Sequence, residues 1–317
     1  LDADAETIIR QLKESGYAMA GTRAAADPER KITALPAAVY EEVCACADVV
    51  LVAPASANVI GKIANGLADD MLTTTVMACK CHKIISPAMN TQMFENPIVQ
   101  DNLAKLERFG YEVIQPAHGY LACGDTGAGK MPEPETLLQY ILKEVAFEKD
   151  LTGKKILVTA GATRESIDPV RFITNHSSGK MGVALAKAAM LRGAEVTLVA
   201  AHMEAKPPMF VNVVPVKNAQ DMFEAVASRC EQMDFIFKAA AVADYTPMSY
   251  NDNKIKKKDG DMAIPLKRTQ DILKYLGENR LPGQIICGFS KETENMLENS
   301  RKKLAKKKEK KENKIYI

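Results

Sequence analysis

Arg164, Arg171, Asn175 and Lys180 crowd one stretch of the sequence, TAGATRESIDPVRFITNHSSGKMG (159–182). Guanidinium, carboxamide and ammonium groups are the donors that grip oxyanions, so this composition points to a bound phosphate or carboxylate. The residues before it, KKILV (154–158), read as a short buried strand. Those after it, GVALAKAAMLRGAEVTLVA (182–200), read as an amphipathic helix, a stop at Gly193 and a second strand. A helix that begins at Ser-Ser-Gly-Lys-Met-Gly turns its unpaired N–H groups and the positive end of its dipole toward the preceding loop, where an anion is stabilised. Ordinary strand-to-helix connections run about 2–6 residues. Here roughly fifteen polar residues intervene, more than a mere connection needs.

Two familiar phosphate-binding motifs do not fit. A Walker loop requires a glycine five residues before the Gly-Lys pair and Ser or Thr after it, whereas Thr174 and Met181 stand there. A dinucleotide fingerprint requires G-x-G-x-x-G tight against the strand, and GATRES lacks the second and third glycines. A simple nicotinamide-dependent or nucleotide-sugar oxidoreductase is therefore disfavoured.

Stepwise alternation of strand and helix patterns frames this stretch. ADVVLVAPASAN (47–58) reads as a buried strand entering a loop, IGKIANGLADDMLTTTVMA (60–78) as one helix, and KIISPAMN (83–90) as the next strand and its loop. NPIVQDNLAKLERFGYEVIQPA gives a helix closed by Gly110 and a further strand. Beyond residue 182 come VNVVPV, the helix AQDMFEAVASRCEQM (219–233), the strand DFIFKAAAVADY (234–245), a short helix in QDILKYLGENRLPG and the strand QIICGFS. The expectation is an α/β chain of two doubly wound, mostly parallel-sheet domains. In such sheets ligands bind beyond the carboxyl ends of the strands. PASAN, PAMN, TAGATRE, AVADY and GFSKE all fall there.

These loops resemble, in order, the signatures of the bifunctional coenzyme A biosynthesis flavoproteins, the phosphopantothenoylcysteine decarboxylase and phosphopantothenate–cysteine ligase family. The matching segments are LVAPASANVIGKIANGLADDMLTTT (51–75), SPAMNTQM (86–93), ACGDTGAGKMPEP (122–134), AAAVADYTP (239–247), KIKKK (254–258) and GFSKETENM (288–296). The resemblance implies a flavodoxin-like flavoprotein domain over residues 1–148 and a Rossmann-like ligase domain over 149–317. It implies FMN-dependent decarboxylation of 4'-phosphopantothenoylcysteine in the first. Asn90 would hold the substrate carboxylate, Cys123 would protonate the intermediate under a GDTGAG flap, and Ser56 and Asn58 would contact the flavin. In the second it implies CTP-dependent and Mg2+-dependent ligation of 4'-phosphopantothenate with cysteine through an acyl-cytidylate. Asn175 would contact that intermediate, Arg171 would assist its conversion with cysteine, and Lys254 would meet the nucleotide phosphates. Lys238, Ala239, Ala240, Asp244, Asp271, Ile272, Leu273, Phe289, Lys303 and Lys307 match positions that contact CTP. The family also implies a homo-oligomer assembled through both domains.

The chain departs from the family pattern in places. Tyr40 stands where the family has the histidine base of the decarboxylase, and Thr-Gln-Asp-Ile (269–272) replaces the common Asn-Pro-Asp-Ile. The first helix pattern enters without the family's initial strand and phosphate-cradling loop, and the lysine-rich end stops without its closing hairpin. The chain thus reads as shortened at both ends, with impaired decarboxylation and weak FMN retention expected. The rival reading is a non-catalytic flavin-domain relative acting through protein–protein contacts.

The 317-residue length suits two domains. No apolar run approaches the ~18 residues of a membrane span, and no signal pattern opens the chain, so a cytoplasmic protein is expected, with no membrane partner. The seven cysteines are too scattered for a disulfide scaffold. Cys44/Cys46 and Cys79/Cys81 form C-x-C pairs, but with His82 alone beside them no metal set is expected. Residues 301–314 hold nine Lys or Arg against two Glu, a charge of +7 that leaves about −5 (2 − 7) for the rest. Without interleaved aromatics this run reads as a solvated helix rather than a nucleic-acid surface.

Overall fold

Runs of β-branched residues bounded by small and polar ones build both sheets. The computed structural model describes residues 10, 14, 46–120, 126–256, 262–289 and 315–316. Contacts divide the chain into two units, Leu1–Ala146 and Phe147–Ile317. Among the described residues no helix is long and apolar enough to cross a membrane.

In the first unit β1 (Val49–Ala55), β2 (His82–Pro87) and β3 (Glu112–Val113) form a parallel sheet in that order. Parallel strands are covered on both faces, and alternation sends Ile85 and Ile84 to opposite ones. Ile85 packs with Val52, Ile60, Ile63, Leu103 and Leu106, and Ile84 with Ile114, Leu137 and Ile141. The covering helices are α1 (Ala57–Ala64), α2 (Met71–Ala78), the single turn α3 (Thr91–Phe94), α4 (Pro97–Arg108) and α5 (Pro134–Val145). The single helix expected over 60–78 is therefore two. Gly66, at φ 72°, carries the chain out of the first. Asp70 starts the second by accepting the Thr73 N–H at 2.8 Å, while Lys62 bonds both Asp69 and Asp70. An antiparallel hairpin, β4 (Ala117–Tyr120) and β5 (Thr126–Lys130), lies between β3 and α5.

The second unit opens with β6 (Lys155–Ala160), and the stretch expected to be one long loop contains its own hairpin, β7 (Arg164–Ser166) with β8 (Phe172–Thr174). Helix α6 (Lys180–Leu191), β9 (Glu195–Ala200), β10 (Asn212–Pro215), α7 (Ala219–Ala227), β11 (Phe235–Lys238), β12 (Tyr245–Pro247), β13 (Leu266–Arg268), α8 (Ile272–Glu278), β14 (Ile285–Gly288) and β15 (Ile315–Tyr316) follow. The six-stranded sheet runs β10-β9-β6-β11-β14-β15 with every pairing parallel. Counting strands as they appear, that is third, second, first, fourth, fifth, sixth, the order of a doubly wound sheet. Leu157, Val199, Ile236 and Ile286 meet Met222 and Val226 of α7 and Leu276 of α8 on one face. On the other, α6 lies so close to β6 that a Cβ on Gly182 would stand 2.6 Å from the Ala160 Cβ and 2.9 Å from the Thr159 carbonyl.

Two further expectations shift. The strand expected over 234–245 ends at Lys238, because Thr159 Oγ1 takes the Ala240 N–H and the Gly161 carbonyl takes that of Ala241. Tyr245–Pro247 then pairs antiparallel with β13. The helix expected over 219–233 ends at Ala227, where the Ser228 hydroxyl turns back to the Glu224 carbonyl at 2.8 Å and a short 3-10 turn, Cys230–Gln232, follows.

Gly182→Ala should destabilise the chain by about 1–3 kcal/mol through overpacking, read as a lowered melting temperature; an unchanged Tm would show that α6 moves aside freely. The Asp70 carboxyl is held at about 2 by the Thr73 N–H and Lys62, below its ordinary value near 3.8. Its contribution is then complete above pH ~4 and lost as pH falls through ~2. Asp70→Ala should lower stability by about 1 kcal/mol at pH 7, and the gap from the native chain should close toward pH 2. A gap that widened on acidification would contradict this assignment.

Candidate functional site

Crossover connections put the ends of β6, β9, β11 and β14 on one edge, and hydrogen bonds between their loops fix its shape. The Ala162 N–H donates to the His202 carbonyl at 2.8 Å, and the Ala241 N–H to the Gly161 carbonyl at 2.8 Å. Thr163 is wholly buried. Its hydroxyl accepts the Ala243 N–H at 3.0 Å, and its carbonyl accepts the Thr174 hydroxyl at 2.7 Å. Thr269 completes the frame, donating its hydroxyl to the Ala243 carbonyl at 2.7 Å and its N–H to the Asp244 carbonyl at 3.0 Å.

Of the expected anion donors, Asn175 is bonded to this frame, and Arg171 is bonded elsewhere. Asn175, exposed at the end of β8, donates from Nδ2 to the Val242 carbonyl at 3.2 Å. Helix α6 starts at Gly179, whose φ of 75° suits glycine, and no side chain caps it. Its first-turn N–H groups are thus left to a ligand or solvent. Arg171 is joined to Asp168 through Nε at 3.0 Å and Nη2 at 3.0 Å, and Nη2 also donates to the Ile255 carbonyl. Lys254 therefore stands one residue from a peptide that Arg171 holds. Burial pushes the Asp168 carboxyl up, but the N–H groups of Val170, Arg171 and Ile255 and the Arg171 charge outweigh it and hold it at about 2. Arg164 differs from expectation: its guanidinium lies 4.4 Å from the Phe172 ring centroid, a cation–π contact within the hairpin.

Lys238, Ala239 and Ala240 form the end of β11 and its loop, half-buried, while Asp244 and Phe289 are exposed. Asp271 caps α8 by accepting the N–H groups of Leu273 and Lys274, each at 3.0 Å. The Ile272 and Leu273 side chains belong to the core rather than to the edge. Lys303 and Lys307 lie outside the described residues. Sequence reasoning missed Thr163, Thr174, Thr269 and Asp168. The Asp168-Pro169 pair, a turn-initiating dipeptide, was the available signal for the last.

In the first unit the edge loops also interlock. Ser56 caps α1, accepting the Val59 N–H at 3.4 Å, with Asn58 exposed in the first turn. Asn90 caps α3, accepting the Gln92 N–H at 2.8 Å. The Ala88 N–H reaches the Ala55 carbonyl and the Met89 N–H the Gly129 carbonyl, each at 3.0 Å. The hairpin thus lies against the PAMN loop. Cys123 and Tyr40 lie outside the described residues. Thr91 Oγ1 and Ser86 Oγ are buried without a hydrogen-bond partner among the described residues.

Cys79 and Cys81 flank the turn between α2 and β2. His82 meets Glu112 at 3.2 Å, and ligand atoms of His82, Glu112 and Glu144 lie within 4.8 Å of one another. The Lys143 ammonium sits on Glu112 at 2.8 Å and near Glu144 at 3.8 Å. A cation of the chain's own already balances this cluster, and we read it as an ion-pair network.

Comparison with known proteins follows this division. A family model described as DNA/pantothenate metabolism flavoprotein C-terminal domain matches residues 151–311, and one described as Flavoprotein matches residues 11–146. The Coenzyme A biosynthesis bifunctional protein CoaBC of Bacillus subtilis (strain 168) is 50% identical over 264 residues, covering 82% of this chain and 65% of that protein. The chain therefore spans just under two thirds of that relative's length. A Cysteine/Cysteine sulfinic acid decarboxylase from an unknown prokaryotic organism is 43% identical over 265 residues, covering 82% of this chain and 74% of that protein. Among solved structures, the C-terminal domain of a Coenzyme A biosynthesis bifunctional protein CoaBC shares 49% identity over 50% of this chain and 74% of its own, at a TM-score of 0.44. On these matches the chain belongs to the DNA/pantothenate metabolism flavoproteins of the CoaBC type.

Proposed function

We propose that this chain acts in coenzyme A biosynthesis, its second unit ligating 4'-phosphopantothenate to cysteine with CTP and its first decarboxylating 4'-phosphopantothenoylcysteine. The ligase reading is carried by one observation: Arg171 and Asn175 lie in the stretch that precedes the uncapped start of α6, with Arg171 bonded to the Ile255 carbonyl beside Lys254 and Asn175 to the Val242 carbonyl. Activation of a carboxylate by a nucleoside triphosphate builds negative charge on phosphate and acyl oxygens, and fixed cations and amides lower that barrier. Asn175 has one Nδ2 hydrogen on the Val242 carbonyl, which orients its amide and leaves the other groups for the acyl-cytidylate. Lys254 neutralises the phosphates, and Arg171, held rigid by Asp168, guides the incoming cysteine. Mg2+ of this class is held largely by the triphosphate itself with one or two carboxylates, and the exposed Asp244 supplies one.

The decarboxylase reading is favoured by the Asn90 loop and the hairpin bound to it. Ser56 and Asn58 would hold FMN, whose chemistry is the oxidation that makes loss of CO2 easy. Asn90 fixes the departing carboxylate without adding charge, and Cys123 supplies the returning proton. A homo-oligomer formed through both domains is part of this proposal.

Asn175→Ala should lower CTP-dependent ligation at least a hundredfold while CTP with Mg2+ still raises the melting temperature. Ligation at the native rate in the variant, or a native Tm that ignores CTP, would overturn the ligase reading. Asn90→Ala should abolish CO2 release from 4'-phosphopantothenoylcysteine by FMN-reconstituted protein; release at the native rate would remove Asn90 from the site.

A further inference from the structure

Asp168 is 2% exposed, and every part of its carboxylate is engaged. Oδ1 accepts the N–H groups of Val170 and Arg171, each at 2.8 Å. Oδ2 accepts Arg171 Nε at 3.0 Å and the Ile255 N–H at 3.1 Å. Since Arg171 Nη2 reaches the Ile255 carbonyl, both polar groups of the Ile255 backbone are tied to one ion pair, of which Asp168 is buried and Arg171 partly exposed. A further tie, from the Asn251 N–H to the Ile167 carbonyl at 3.1 Å, holds the same segment a few residues earlier. Residues 251–256 have no helix or strand of their own, and apart from half-buried Ile255 they are exposed. Their placement therefore comes from these bonds, which offset an ordering cost of about 1–2 kcal/mol per residue.

Resting on the ligase reading above, we propose that Asp168 is a positioning residue: through Arg171 and the Ile255 peptide it sets where Lys254 meets the nucleotide phosphates. Adjacent Cα atoms are about 3.8 Å apart, so fixing the Ile255 peptide confines the base of the Lys254 side chain. The pair also makes Arg171 serve twice, as a guanidinium at the reacting edge and as the brace for the lysine beside it. A carboxamide at position 168 keeps the shape but loses the negative charge and turns one acceptor oxygen into an NH2 donor, so it cannot accept both the Val170 and Arg171 N–H pair and the Arg171 Nε and Ile255 N–H pair.

The test compares the full native chain with Asp168→Asn and Ile255→Pro, the second deleting the N–H donor at the exposed end of the clamp. Both should raise the KM for CTP about tenfold or more, with a smaller change in kcat, and speed amide exchange across 251–256. Native KM with native exchange in both variants overturns the proposal. So does fast exchange with native KM, since the clamp would then be structural only. If Asp168→Asn fails to fold, Ile255→Pro alone decides, by the same readings. A native chain that does not ligate with CTP removes the ligase reading itself and the role of Lys254 with it. That outcome is distinct from a working native enzyme whose variants keep its KM.

Discussion

The exchange of hydrogen bonds between the β6 loop and the β11 loop is the constraint on which the second unit's edge depends. Gly161, Ala162 and Thr163 spend their polar groups on His202, Ala241 and Ala243, so three strand ends are tied before any ligand arrives. Buried backbone groups left unpaired are costly. Here, satisfying them also dictates the direction of the loops that carry Asn175 and Asp244. The hairpin Arg164–Thr174 is an extension of the same frame, closed by the Thr174 hydroxyl on the Thr163 carbonyl.

Much of this was legible in the sequence because periodicity reports burial. Apolar runs located β1, β2, β6, β9 and β14, and glycines after helices located their ends, as Gly110 and Gly193 show with φ of 84° and 89°. What periodicity could not report was where tertiary bonds interrupt a run. AAAVADY is as apolar as the strand before it, yet Thr159 and Gly161 take its N–H groups and turn it into a loop. Likewise MLTTTVMA continues the helical pattern of the preceding residues, and only Gly66 and the Asp70 cap separate them.

Candidate side chains were legible unevenly for a related reason. Asn175, Arg171 and Lys254 are conspicuous as polar residues in loops; the Arg171 guanidinium bonds the Ile255 carbonyl, next to Lys254, and the Asn175 amide bonds the Val242 carbonyl. Asp168 and Thr163, which anchor those loops, are ordinary residues in sequence and acquire meaning only through burial. Ile272 and Leu273 show the converse, since a motif position can be occupied by side chains that belong to the core.

In the first unit, Gly129 touches the Asn90 loop so closely that a Cβ would stand 2.2 Å from the Met89 carbonyl oxygen, and its φ is 136°. Gly127 is similarly tight against the Thr91 side chain, at 2.5 Å. With no side chain to act as a cushion, the strand and the amide-bearing turn share a single mechanical coordinate. Whatever displaces one must carry the other, so stiffening either segment lowers the entropy left to lose in its neighbour.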